Sequence, residues 1–335
     1  MVESAPGIHP TPTTRTGVPR WRTAAVVIAV VAACALPLAA DDYRVFQVTL
    51  VVIDAVALLG LNLLTGYGGQ ISLGHGAFFG IGAYTTAILV HRFGFPYWAT
   101  LPCAGAVCMV AGFLFGLPAL RFDGLYLALA TFALGVVLPQ VFKFRGIESF
   151  TGGVEGISLD KPHAPLGLPL SPDQWLYLLS LGVAAAGFLV ARNIVRGPTG
   201  RAIVAIRDSP IAAASVGIDT AMYKSVTFGI SALYTGVAGG LSALAVQFVG
   251  PDSFSAFLSI SLLVGIVVGG LASLSGAIYG AIFIQFVPNV AGDLSKAAPG
   301  AVYGLVLLLS IYALPFGVSG LVKRIASALP RRLKK

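Results

Sequence analysis

The sequence predicts an all-α fold, a polytopic membrane bundle of about 8–10 transmembrane helices, and three observations predict it. Of its 335 residues, 57% are hydrophobic and only 10% are charged, against about a quarter charged in a soluble domain. The apolar residues fall into runs of roughly 17 to 25, the length a helix needs to cross a hydrocarbon core of about 30 Å. A β-barrel would show short alternating segments instead. Lys and Arg, finally, gather in alternate loops, the pattern left by retention of basic residues in the cytoplasm.

Ten runs can be read in order: 22–40, 45–65, 71–91, 97–120, 124–142, 174–191, 223–249, 255–272, 276–290 and 300–322. Residues 1–21 precede them and are expected to be a disordered tail. The first run begins on Arg22, with Arg20 before it and small residues at its end, so a cleaved signal peptide is one reading, and "VAAC", ending at Cys34, resembles a lipoprotein cleavage box. The run continues past Cys34 and another follows at once, which favours an uncleaved first helix. Cys34, Cys103 and Cys108 all lie inside runs and are odd in number, so they imply no disulfide framework and read as small buried hydrophobes.

With the N-terminus inside, the cytoplasmic segments are 1–22, 121–123, 192–222 and 323–335. Together with Lys224 at an edge they hold 15 of the 21 basic residues. The C-terminal segment 323–335 carries Lys323, Arg324, Arg331, Arg332, Lys334 and Lys335, a surface patch suited to anionic membrane lipid. No aromatic-interleaved basic fold accompanies it, so nucleic acid is not an expected partner.

From the end of the second run into the third stands "GYGGQISLGHGAFFGIGAY" (66–84). Small residues four apart let helices approach closely in lipid, and Gly76/Gly80, Gly112/Gly116, Gly236/Gly240, Gly265/Gly269 and Gly276/Gly280 have that spacing. Gly66, Gly68 and Gly69 in succession instead break a helix, so a broken Gly-rich helix is expected near residues 66–76. A break frees backbone N–H and C=O groups that the bilayer tolerates only where protein or a water-filled cavity covers them. Gln70, Ser72 and His75 would supply polar contacts there, with Gly68, Gly69 and Gly74 letting the backbone close around a small solute or move as a gate. "GGLASLSGAIYG" (269–280) matches "GGQISLGHGAFFG" (68–80) with one residue gapped and falls at the same predicted membrane face, which reads either as an internal repeat in the parallel sense or as the self-similarity of Gly-rich apolar sequence.

Asp54 and His75 are the ionisable residues at membrane depth, and such residues are functional candidates by default. A neutral His75 ring held by a neighbouring carbonyl, and Asp54 as a helix-packing partner, are the competing readings. The segment "RNIVRGPTGRAIVAIRDSPIAAASVGIDTAMYK" is expected to form a short cytoplasmic helix carrying Arg201 and Arg207, beside Asp208, and interrupted at Pro210. Its core "IAAASVG" spans Ile211, Ala212, Ala213 and Gly217. It has the spacing of the E-A-A-x-x-x-G loop by which importer permeases dock on ATPases, with Ile211 in place of the glutamate.

"NLLTGYGGQISLGHGAFFGIGAYTTAIL", "GLPALRFDGLYLALATFALG", "TGGVEGIS", "GPTGRAIVAIRDSPIAAASVGIDTAMYK" and "GLASLSGAIYGAIF" follow one another in this order. Together they resemble the LivM-type permease family of branched-chain amino acid ABC importers over residues 45 to 322. The resemblance implies one transmembrane permease domain over 22–322 in the bacterial inner membrane, with both termini cytoplasmic. It implies a second permease as partner, two cytoplasmic ABC ATPases, and a periplasmic substrate-binding protein. On it, 192–222 is the ATPase-coupling segment, and the 143–173 loop, through Thr151, Gly152, Gly153 and Glu155, is expected to meet the binding protein. No G-x-x-x-x-G-K-[ST] phosphate loop occurs, so ATP hydrolysis is assigned to partners and the chain is not expected to be an enzyme. No cofactor or metal is expected. An ion-coupled carrier using Asp54 and His75, and a permease for urea or short amides, remain the alternatives.

Overall fold

A computed structural model of the protein describes residues 33–37, 40–119, 124–165, 169–294, 299–314 and 316–332. The chain divides into two units, 1–41 and 42–335. The first contains a short helical stretch, α1, over 33–37; the expected disordered tail over 1–21 and most of the first run lie outside the described residues.

The described residues of the second unit are helical apart from loops and one two-stranded antiparallel pairing. α2 (Asp42–Leu61) passes into a π-helical turn at Asn62–Tyr67, and α3 (His75–Phe93), α4 (Tyr97–Ala119) and α5 (Leu125–Phe142) follow. After short α6 (Glu148–Thr151) and strand β1 (Ile157–Ser158) come α7 (Pro172–Arg196), α8 (Pro198–Asp208), α9 (Pro210–Ser215) and α10 (Thr220–Val246). Strand β2 (Phe248–Val249) and a 3-10 turn (Pro251–Phe254) lead to α11 (Ala256–Gly269), α12 (Leu274–Leu294), α13 (Pro299–Ala313) and α14 (Gly317–Arg332).

Among the described residues six helical segments are long and apolar enough to cross a membrane: 42–67, 97–118, 125–142, 172–196, 220–246 and 274–292. α3, α11 and α13 occupy predicted runs without reaching that measure. For α3 the reason is its surroundings: from His75 to Ala87 it is mostly buried against α10 and α4, so its residues are selected for close packing rather than for contact with lipid. The run 300–322 is corrected more plainly. It is two helices, because the chain stops helix α13 at Ala313 and turns at Gly317, whose φ is +67°.

α10 is the central element. It packs on α4, α3 and α2 through a face of small residues, with Ser231, Ala232, Thr235, Gly236, Ala238 and Gly239 all buried. α11 and α12 cross through glycine on both sides. A methyl group on Gly280 would lie 2.7 Å from the Gly265 carbonyl carbon, and one on Gly269 would lie 2.8 Å from the Gly280 nitrogen. That is the close backbone approach the glycine spacing predicts.

The loops sort into two ends. At one end Lys143 pairs with Asp252 at 2.6 Å, β1 pairs antiparallel with β2, and the Trp175 indole N–H donates to Tyr97 Oη at 3.0 Å. At the other, Arg207 reaches the Gly66 carbonyl, Asn62 holds Ala272 and Ser273, and Lys323 Nζ donates to Ser273 Oγ at 3.3 Å. The first set comes from segments the basic-residue count puts outside, the second from segments it puts inside. Both Gly-rich repeats turn at this second, basic end.

Candidate functional site

The break in the helix begins one turn before the glycines. The π-helical turn widens the backbone ring, so Gly68 N–H donates to Leu63 O, five residues back, at 3.1 Å. Gly69 then takes φ +69°, a left-handed conformation that favours glycine. Asn62, buried on the same turn, accepts from Ala272 N–H at 2.9 Å and donates to Ser273 O at 2.8 Å. A single amide thus binds the first break to the second, where Gly270 and Ala272 also have positive φ.

The released groups are covered by protein. Three backbone N–H groups at the start of α3 are met by hydroxyls: Leu73 N–H by Thr131 Oγ1 at 2.9 Å, Gly74 N–H by Ser72 Oγ at 3.4 Å, and Gly76 N–H by Ser259 Oγ at 2.9 Å. α5 and α11 therefore meet two of these N–H groups from neighbouring helices, and Ser72 of the same segment meets the third.

His75, with no exposed surface, is the node of this arrangement. Ser231 Oγ lies 2.7 Å from Gly60 O and 2.6 Å from His75 Nε2. A carbonyl only accepts, so the Ser231 hydroxyl donates to Gly60, and Nε2 is the nitrogen that carries the proton. Nδ1 is then the acceptor, 2.9 Å from Ser72 Oγ. The resulting chain runs in one direction, from Gly74 N–H through Ser72, His75 and Ser231 to the Gly60 carbonyl. A neutral imidazole satisfies every member of it, and the ring also packs on Phe78 and Phe228 at 6.0 Å between centroids.

The residues expected to line a path are therefore divided among three places. Ser72 and His75 are joined to each other and engaged inside the protein. Gly68 and Gly74 are buried with them, while Gln70 is half-buried and its amide makes no side-chain hydrogen bond among the described residues. Gly69 is exposed and lies against Arg207. Asp54 is elsewhere: twelve residues before Gly66, about 18 Å along the helix, it lines a cavity of about 400 Å³ between α2, α3, α10, α11 and α12.

The basic segment folds as expected, with the break at Ser209, which caps α9 by accepting Ala212 N–H at 3.3 Å. α8 is anchored by buried Ala202, Ile203 and Ile206. Arg201 donates to Arg196 O at 3.4 Å. Arg207 does more: its Nε and Nη2 bond Asp208 Oδ1 at 3.0 and 2.9 Å, its Nη1 donates to Gly66 O at 3.2 Å, and its stem lies where a Gly69 side chain would be. α9 projects beyond it. Ala213 is buried, Ala212 and Gly217 are exposed, Ile211 is 86% exposed and Val216 is 75% exposed.

At the opposite end the 151–156 loop is built on three positive-φ glycines, Gly152, Gly153 and Gly156. Thr151 is buried, and its hydroxyl donates to Phe142 O at 2.8 Å. Thr151 and Gly153 therefore shape the loop, and Val154 and Glu155 form its exposed tip.

Sequence reasoning missed Asn62 and Ser231. The only signal was an amide and a hydroxyl inside apolar runs, which are common enough in membrane helices to carry no weight alone. The cavity-lining Ser242, Ser261 and Gln285 were missed likewise.

The described residues form a polytopic helical membrane bundle with two Gly-rich breaks and a projecting basic segment, an architecture found among membrane permeases. The family model described as "Branched-chain amino acid transport system / permease component" matches residues 44–314, and the chain belongs to that family. It is 34% identical over 310 residues to the high-affinity branched-chain amino acid transport system permease protein LivM of Escherichia coli strain K12, covering 86% of this chain and 72% of the relative. It is 27% identical over 250 residues to the autoinducer 2 import system permease protein LsrC of Salmonella typhimurium, covering 70% of this chain and 67% of that one. Among solved structures, PsaBC from Streptococcus pneumoniae in complex with Fab aligns with a TM-score of 0.40 at 13% identity, over 82% of this chain and 89% of that one.

Proposed function

We propose that this chain is one of two permease subunits of an ABC importer that carries branched-chain amino acids across the bacterial inner membrane. Two cytoplasmic ATPases supply the energy and a periplasmic binding protein supplies the substrate. The observation that carries the reading is the projection of α9. The six-residue helix and the residue that follows it present Ile211 and Val216 to solvent at the basic end, while Arg207, three residues before the helix, holds the carbonyl of the broken helix. An exposed apolar knob on a helix too short to be stable alone calls for a partner surface. Its tie to Gly66 gives any movement of that partner a direct line to the break.

On this reading the basic end is cytoplasmic, both termini lie there, and the loop tip at Val154 and Glu155 faces the binding protein. Gln70 and the break at Gly68 and Gly69 lie on the path or its gate. Ser72, Gly74 and His75 fix the start of α3 beside them, and Asp54 serves the opposite half of the path. Urea, short amides and other amino acids remain as substrates to test against leucine, isoleucine and valine, because the path residues named here do not discriminate among them.

The test is affinity purification of the tagged chain from native membranes in mild detergent, with ATP hydrolysis assayed on what is recovered. A second permease and two ATPase subunits are expected, released together when Ile211→Asp places a charge on the knob. Recovery of the chain alone, without ATP hydrolysis, would overturn the reading.

A further inference from the structure

The cavity at Asp54 stands apart from the break and from the coupling segment. It lies between α2, α3, α10, α11 and α12, and Phe248, Ser253 and Ser255 bring its lining up to the hairpin end. Its volume, about 400 Å³, is in the range of small-molecule sites. Its walls combine the rings of Phe79 and Phe254 with the hydroxyls of Ser242 and Ser261 and the amide of Gln285.

Asp54 sits twelve residues into α2, about 18 Å from its start and so near mid-membrane. Its carboxylate has no hydrogen-bond or ion-pair partner among the described residues. A carboxylate at that depth is costly unless something pairs with it. The described residues supply no such partner, and the cavity opens beside it.

We propose that the cavity is an ammonium-binding site for the transported amino acid, with Asp54 as counter-ion to its α-ammonium group. Ser242, Ser261 and Gln285 offer donors to the carboxylate, and Phe79 and Phe254 offer apolar surface to the side chain. An inorganic cation is the poorer occupant. It needs several oxygens converging on one point, and no group of three His, Cys, Asp or Glu side chains comes together among the described residues. The identity of the physiological ligand rests on the amino-acid reading above, whereas the ammonium chemistry stands on the cavity alone.

The test is binding of radiolabelled 3-methylbutylamine and of leucine to the purified complex in nanodiscs, without binding protein, for wild type, Asp54→Asn and Ser261→Phe. Both ligands are expected to bind saturably to wild type, with no competition from 4-methylpentanoate, which lacks the amine. Asp54→Asn should weaken amine binding at least tenfold at an unchanged thermal midpoint. Ser261→Phe, which fills the space and leaves the carboxylate, should do the same and carries the test if Asp54→Asn fails to assemble. Amine binding that is unaltered by both substitutions, competition by 4-methylpentanoate equal to that of the amine, or no amine binding to wild type would overturn the site. Amine binding that depends on Asp54, without any binding or transport of leucine, would sustain the site and overturn the amino-acid reading instead.

Discussion

His75 joins three helices through two serines. Ser72 lies in its own segment, Ser231 comes from α10, and the chain of hydrogen bonds ends on the Gly60 carbonyl of α2. Removing the ring leaves two buried hydroxyls without their partner and a cavity between Phe78 and Phe228, at a cost of roughly 3 kcal/mol. His75→Ala should therefore lower the thermal midpoint and the yield of assembled complex together with transport, measured by fluorescence-detected size exclusion on heated samples. Unchanged stability with lost uptake would instead give His75 a direct part in the path. Asp54 and His75 both stood out in the sequence as ionisable residues inside apolar runs, since charge-bearing side chains are rare there. Their different situations did not. A neutral ring closed off by Ser231, 156 positions away, and a carboxylate facing an open cavity look alike in a string of letters.

At the scale of elements the break, the repeat and the basic segment form one assembly. Gly66, Gly68 and Gly69 announce the break through their conformational freedom, and the match between 68–80 and 269–280 announces the second. The structure adds that Asn62 clamps one to the other and that Arg207 grips the first. Long-range partners of this kind leave no local trace, because an arginine on a helix face reads the same whether it meets lipid, solvent or a carbonyl. Arg207→Glu would place a carboxylate beside the Gly66 carbonyl, two acceptors with no proton between them. ATP hydrolysis by the reconstituted complex should persist while leucine uptake per ATP falls at least tenfold. An unaltered ratio would show that the contact carries no motion. The glycine pairs at helical spacing were legible in full: Gly265 and Gly269 meet Gly276 and Gly280 where α11 crosses α12. Less legible was the end of α13, because "ALPFGVSG" interrupts an apolar run with one proline and two glycines and leaves its hydropathy intact.

For the whole molecule, hydropathy places the helices and the basic residues sort the loops. Segments assigned to opposite faces on charge alone do gather at opposite ends, Lys143 with Asp252 at one and Arg207 with Gly66 at the other. The number of spans is harder to read, since a helix enclosed by other helices, like α3, needs packing surface more than apolar length. The account's central claim is that ATP hydrolysis on partner subunits drives a branched-chain amino acid through this bundle. Its most direct test is leucine uptake by proteoliposomes holding the purified complex, with the binding protein on the face that carries Val154 and Glu155. The ion gradients are abolished by ionophores and ATP is supplied at the basic end. The account predicts uptake that requires ATP and is indifferent to the ionophores. Uptake that proceeds without ATP and vanishes with the ion gradient would contradict it.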